Sequence, residues 1–154
     1  MHHAPPFFNV MDPSSEQPPK TVTLSEANAL LPQVRPLLQQ LQGLQRSIIQ
    51  TNQRLDELVT KLATGNGYPI HAIKQQVQEL TKHQLQLIEA FQSVLQQLEV
   101  GGCVLKDGEM GLVDFYSLRD GQLIFLCWKL DEDHIRFWHA LDEGYAERQR
   151  LELT

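Results

Sequence analysis

From Leu37 onward the apolar positions advance alternately by four and by three: Leu37, Leu41, Leu44, Ile48, Thr51, Leu55, Leu58 and Leu62. That spacing predicts a helix with one narrow apolar seam and a single polar member, Thr51. Gly65-Asn66-Gly67 breaks it, and Pro69 suits the first turn of a second helix. A matching seam follows at Ile73, Val77, Leu80, Gln84, Leu87, Phe91, Val94 and Leu98, again with one polar member, and Gly101-Gly102 ends it. In an antiparallel hairpin, facing residues have a constant sum of residue numbers. Leu62 with Ile73 gives 135, Leu37 with Leu98 gives 135, and so does every pair between, including Thr51 with Gln84. A buried polar group needs a partner, so two polar seam positions at one height form a structural polar layer that fixes register. The pattern predicts a long antiparallel two-helix coiled-coil hairpin turning near Asn66 and Gly67.

The first helix should begin at Thr23, because Thr23-Leu24-Ser25-Glu26 fits a capping box. Pro32 and Pro36 then fall inside it, and each removes an intrahelical hydrogen bond, so a kink or break is expected between about residues 28 and 36. Leu38 and Ile49 flank the first seam, and Leu85, Ile88 and Leu95 flank the second. They widen the apolar stripe, which must be covered either by the C-terminal segment or by a second hairpin from another copy, giving a four-helix bundle.

Past Gly102 the period changes. Cys103–Asp107 and Gly111–Phe115 read as short strands around Asp107-Gly108. Asp120-Gly121 is a two-residue hairpin turn. Leu123–Trp128 is almost continuously apolar, as in a central strand buried on both faces. After Asp131-Glu132-Asp133, the residues Ile135, Phe137 and His139 alternate with His134, Arg136 and Trp138. The fold class is α+β: a helical hairpin over 23–100, then a four-strand antiparallel meander within 103–150, too small to stand alone and so packed at the hairpin's base. Residues 21–154 form a single domain. Residues 1–20 are expected to be a disordered tail, with Pro5, Pro6, Pro13, Pro18 and Pro19 among polar residues.

Charge narrows the partners. The chain of 154 residues has a formal net charge of −6. Residues 103–154 hold 11 acidic and 6 basic side chains, and the rest hold 8 and 7. With no basic face to displace counterions from phosphates, nucleic acid and anionic membrane surfaces are poor partners. Two cysteines, Cys103 and Cys127, make no disulfide framework. No leader-like segment or membrane-spanning run is present, so the cytoplasm is the expected location.

No phosphate-cradling glycine loop and no established catalytic motif is present. The constellation with chemical content is C-terminal: Cys127 and Trp128, Trp138 and His139, Asp142 and Glu143, and Arg148. If strands Leu123–Leu130 and His134–His139 pair, Cys127 nears His139. Cysteine, histidine and carboxylate together suit zinc or another transition metal, with Cys127, His139, Asp142 and Glu143 as candidate ligands. A buried cysteine as a small hydrophobe, with a structural histidine beside it, is the plainer reading. Asp114 and Arg119 read as a cross-strand salt bridge, and His71 and His83 as solvent-exposed.

Several short motifs occur in order. Thr23-Leu24-Ser25-Glu26-Ala27-Asn28 with Leu30-Leu31-Pro32 resembles the opening of a bacterial family catalogued as domain of unknown function 2203. Gly111-Leu112-Val113-Asp114-Phe115, Arg119-Asp120-Gly121, Leu126-Cys127-Trp128, Trp138-His139 and Asp142-Glu143-Gly144-Tyr145-Ala146 resemble its C-terminal signatures. The likeness spans roughly residues 21–150. It departs at Tyr116, where a proline is common, and at Glu147, where a glycine commonly precedes the arginine. It implies the architecture above and no activity.

Two functions follow as expectations. The leading one is a non-enzymatic, self-associating interaction or scaffold module, a homodimer by preference, whose acidic head contacts a protein partner. The alternative is a metal-binding enzyme or sensor that uses the C-terminal cluster.

Overall fold

The computed structural model describes residues 19–65 and 67–152. The tail expected over residues 1–20 therefore lies almost wholly outside the described residues, as does Asn66 of the predicted turn.

Helix α1 (Leu24–Thr64) starts at a complete capping box. The Glu26 amide donates to Thr23 Oγ1 at 3.1 Å, and the Thr23 amide donates to Glu26 Oε1 at 2.8 Å. The Thr23 amide first, and then the Thr23 hydroxyl, hold the Glu26 carboxyl below its usual range. The break expected at Pro32 and Pro36 is absent, and α1 runs through both. Both prolines lie on the exposed face, four residues apart, whereas Ala27, Leu31, Val34 and Leu38 on the other side are buried. Packing of that face outweighs the two lost hydrogen bonds. Helix α2 (Ile70–Val100) returns beside it. Every seam position of both helices is buried or half-buried. Gln84 Nε2 donates across the hairpin to the Ile48 carbonyl at 3.0 Å, one turn before buried Thr51.

Among the described residues five strands follow, one more than expected: β1 (Cys103–Asp107), β2 (Leu112–Arg119), β3 (Gln122–Lys129), β4 (Phe137–Ala140) and β5 (Gln149–Arg150). They form one antiparallel sheet in chain order. The added strand is only two residues long, below what alternation can signal. Asp120 and Gly121 have φ of 51° and 79°, the two positive values a type I′ turn demands. The turn pairs Arg119 with Gln122 and zips β2 to β3 without a slip down to Leu112 with Lys129. β4 begins three residues later than expected. Ile135 lies instead in the core, its amide donating to Asn28 Oδ1 of α1 at 2.8 Å.

One face of the sheet, with Val113, Phe115, Ile124, Leu126 and Trp128, packs on the base of the hairpin against Leu38, Leu41, Val94, Leu95 and Leu98. Arg35 ties the layers, donating to the Leu130 carbonyl at 2.8 Å with its guanidinium 5.0 Å from the centre of the Trp128 ring. Val22 and Ser117 tie the chain before α1 to β2. None of the helices among the described residues is long and apolar enough to cross a membrane.

Gly111 opens β2 at φ 71°, and a Cβ there would lie 2.7 Å from Leu130 Cβ. Gly111→Ala combines left-handed strain with overpacking, so a loss of about 2–3 kcal/mol is expected in urea denaturation. An unchanged midpoint would show that the β2 start relaxes freely.

Candidate metal centre

The other face of the sheet carries a second buried cluster. The register sets Asp114 opposite Cys127, Tyr116 opposite Phe125, Phe125 opposite His139, and Cys127 opposite Phe137. Facing residues of an antiparallel pair project to one side, so these side chains share the face turned away from the helices. Asp114, Cys127 and His139 are all buried there. Their ligand-type atoms lie within 4.8 Å of one another.

His139 reaches from β4 over the central strand, and Nε2 lies 2.9 Å from Asp114 Oδ2. Its Nδ1 lies 2.8 Å from the Ala140 carbonyl oxygen. A carbonyl only accepts, so Nδ1 carries the hydrogen and donates. That leaves the Nε2 lone pair aimed at a carboxylate oxygen. Two acceptors at this separation need a positive centre between them, either a proton or a metal ion. Asp114 Oδ1 is also buried and has no hydrogen-bond partner among the described residues. The Cys127 thiol lies beside the carboxylate and, as a weak donor to it, also favours its charged form.

Burial pushes the Asp114 carboxyl above its usual range, although the charges of His139 and Lys106 oppose the shift. Lys106 Nζ lies 4.0 Å from Asp114 Oδ2 and 4.3 Å from the centre of the Phe125 ring. On the other flank, Arg148 Nη1 lies 4.0 Å from Cys127 Sγ and 3.2 Å from both Glu132 carboxylate oxygens. Burial first, then the Asp114 charge, pushes the Cys127 thiol up to about 12, and burial alone takes Cys103 to about 12. The native thiols should resist iodoacetamide at pH 8 for as long as the denatured chain needs to label fully, with mass spectrometry as the readout. Fast labelling of Cys127 in the folded chain would contradict this account of its surroundings.

This is not the layout of a thiol nucleophile. Both imidazole nitrogens are committed, one to a carbonyl and one to a carboxylate, so neither takes the thiol proton. Asp114, Cys127 and His139 are residue types that could together hold a metal ion. A histidine that donates Nδ1–H to a backbone carbonyl is oriented, and fixed in tautomer, for metal binding through Nε2.

Not every residue singled out in the sequence meets here. Cys127 and His139 do. Asp142 is exposed and outside the group, and Glu143 is exposed with Oε1 accepting from the Ala140 amide at 3.1 Å. The carboxylate of the group is Asp114, from β2. Asp114 and Arg119 do not pair, because five positions along one strand put them on opposite faces. The Arg119 guanidinium lies 4.6 Å from the centre of the Trp138 ring. Trp128 and Trp138 face the helices and back the cluster. Glu147, standing where a glycine is common, accepts from the Gly144 amide at 2.8 Å and closes the 3-10 turn Tyr145–Glu147 just before Arg148. His71 and His83 are exposed.

The model of a family described as an uncharacterized conserved protein, DUF2203, matches residues 20–151. The chain belongs to that family. No curated protein and no solved structure matches it. The DUF2203 match takes in both helices, all five strands and every residue of the cluster.

Proposed function

We propose that this protein binds a divalent transition metal, zinc by preference, at Asp114, Cys127 and His139, as a structural or sensing centre. The observation that carries this reading is the facing pair of acceptors, Nε2 and Oδ2 at 2.9 Å, with Nδ1 already committed to a carbonyl. In the metal-free protein a proton fills that place. A metal ion fills it and also engages the thiol and the unpartnered Oδ1. Two atoms on one zinc ion lie at most about 4.6 Å apart at bond lengths of about 2.0–2.3 Å, so the spacing within 4.8 Å needs only small side-chain rotations. Mixed nitrogen, sulfur and oxygen donors favour zinc over calcium or magnesium. Burial of all three ligands favours a sensing or structural role over attack on a substrate.

Elemental analysis of untagged protein by plasma mass spectrometry, beside His139→Ala, tests this. Near-stoichiometric zinc, lost in the variant, is expected. Loading should also release about two protons per ion in weak buffer, one from the thiol and one from the His139–Asp114 pair. Folded protein that stays metal-free after incubation with zinc rules the reading out. A reducing cytoplasm fits two free, buried thiols.

A second reading, self-association through the hairpin, is favoured by one specific feature. Leu38 and Leu95 follow seam residues by one position, and the sheet covers them. Ile49, Leu85 and Ile88 have the same offset, hence the same side of the hairpin, yet are 49%, 57% and 36% exposed. They continue the sheet-covered face toward the turn. From Ile49 to Thr64 that free stretch runs about 24 Å, room for a second hairpin laid antiparallel to form a four-helix homodimer. Sedimentation at micromolar concentration should give a dimer that Leu85→Glu converts to monomer. A wild-type chain that is monomeric across that range would end this reading.

A further inference from the structure

We infer that Arg148 and Glu132 form a gate over the metal centre, and that the polar cavity beside them is the route by which the ion arrives. The inference rests on the metal reading above and adds how the site is reached.

The three ligand residues are buried, and two cavities among the described residues are lined by other side chains. One of them, an open surface hollow of about 390 Å³, is lined by Lys129, Asp131, Glu132, Asp133, Arg136 and Tyr145. Two of its walls, Glu132 and Tyr145, are the partners of Arg148. The Arg148 guanidinium is paired with Glu132 and held between the rings of Phe137 and Tyr145, 4.0 Å and 4.2 Å from their centres. The same Nη1 that pairs with Glu132 lies 4.0 Å from Cys127 Sγ. Arg148 therefore links two walls of this polar hollow to the sulfur ligand.

The two halves of the latch are anchored very differently. Glu132 is fixed. Its carboxylate accepts from the Lys129 amide at 2.8 Å, and its carbonyl accepts from Trp128 Nε1 at 3.0 Å and Arg35 Nη2 at 3.3 Å. Arg148 lies between an exposed 3-10 turn and a two-residue strand whose residues are both exposed. A short edge with few backbone bonds opens at small cost relative to global unfolding. Opening it moves Arg148 and Tyr145 away and joins the cavity to Cys127, while Glu132 stays as a carboxylate at the threshold.

The closed gate also suits the loaded state. The thiol and the shared proton leave as two protons, and the ion brings two positive charges, so the cluster keeps its net charge and Arg148 gains a thiolate to donate to. A guanidinium over a metal thiolate is stabilising, and the gate recloses on the filled site.

Stopped-flow loading of the full chain with Co²⁺, followed by the sulfur-to-cobalt charge-transfer absorption, tests the gate, with release measured into excess chelator. Arg148→Ala removes a charge-assisted latch and should speed both loading and release by about tenfold to a hundredfold, with one cobalt per chain still bound at saturation. Glu132→Gln unlatches the other side and should shift both rates the same way, which keeps the test standing if Arg148→Ala fails to fold. Unchanged rates with the absorption band intact overturn the gate and leave the metal reading standing. A larger acceleration in Lys106→Met than in either variant places the route on the Asp114 flank and also overturns the gate. No sulfur-to-cobalt band in the wild-type chain overturns the metal reading and the gate with it.

Discussion

Asp114→Ala should abolish stoichiometric metal binding and cost the metal-free fold about 3–5 kcal/mol, the range for breaking a buried, hydrogen-bonded charged pair by removing one member. Both side chains of the pair are buried, so solvent does not take over the missing partner. In the wild type a proton is shared between His139 Nε2 and Asp114 Oδ2 at 2.9 Å. Without the carboxylate, an imidazole already donating through Nδ1 is left with a buried lone pair, and the Lys106 ammonium loses the anion 4.0 Å away. Asp114→Asn separates the two effects. Its amide donates to Nε2 and restores much of the stability, but it is a far weaker ligand than a carboxylate, so metal affinity should still fall at least about a hundredfold. Urea denaturation of metal-free protein and zinc competition with a chromophoric chelator give the two readouts. If Asp114→Ala binds zinc as tightly as wild type, the ligand set is wrong. If it is as stable as wild type, the buried pair contributes nothing.

Asp114 is also the residue that shows where reading the chain stops short. The hairpin was legible because its rule is simple: a constant sum of 135 fixes which seam residues face each other, and every seam position is buried or half-buried. The same arithmetic applies to the strands. Asp120-Gly121 closes a two-residue turn, so Arg119 opposite Gln122 sets a sum of 241, and 241 puts Asp114 opposite Cys127. That signal was present in the turn, but nearness along the chain points to Asp142 and Glu143 instead. The partner of Cys127 on the other side was not legible in the same way. The link from β3 to β4 is not a two-residue turn, and Ile135 leaves the strand pattern to bond Asn28 of α1, a contact 107 residues distant in sequence. Tertiary contacts of that separation set where β4 starts, and hence which residue faces His139.

The same distinction accounts for α1. Helix propensity argues for a break at Pro32 and Pro36, since each is worth about 3 kcal/mol against an interior helix. What overrides it is the placement of both on one exposed face while four apolar side chains on the other are buried. Proline content was visible in the sequence. So was the sheet's place at the base of the hairpin, but not which α1 side chains it buries, because its first strand begins 65 residues beyond Leu38.

Trp128→Ala should be as costly as the loss of Asp114, and for a reason that joins the core to the gate. Trp128 is fully buried, at the meeting of the sheet and α1, under the Arg35 guanidinium. Truncation to alanine leaves a cavity, and such changes cost about 3–5 kcal/mol. The indole also does a second job. Its Nε1 donates to the Glu132 carbonyl at 3.0 Å, and Arg35 donates to the same oxygen at 3.3 Å. Losing the indole frees both the ring that Arg35 stacks on and one of the two donors that hold the Glu132 backbone. The variant should therefore lose stability in denaturation and also exchange cobalt faster than wild type, under conditions where it is still folded. Trp128→Phe refills much of the space without the donor, so it should recover most of the stability and keep the faster exchange. Recovery of both in Trp128→Phe would mean that the indole N–H does not position Glu132, and that the latch post is set by Arg35 and the Lys129 amide alone.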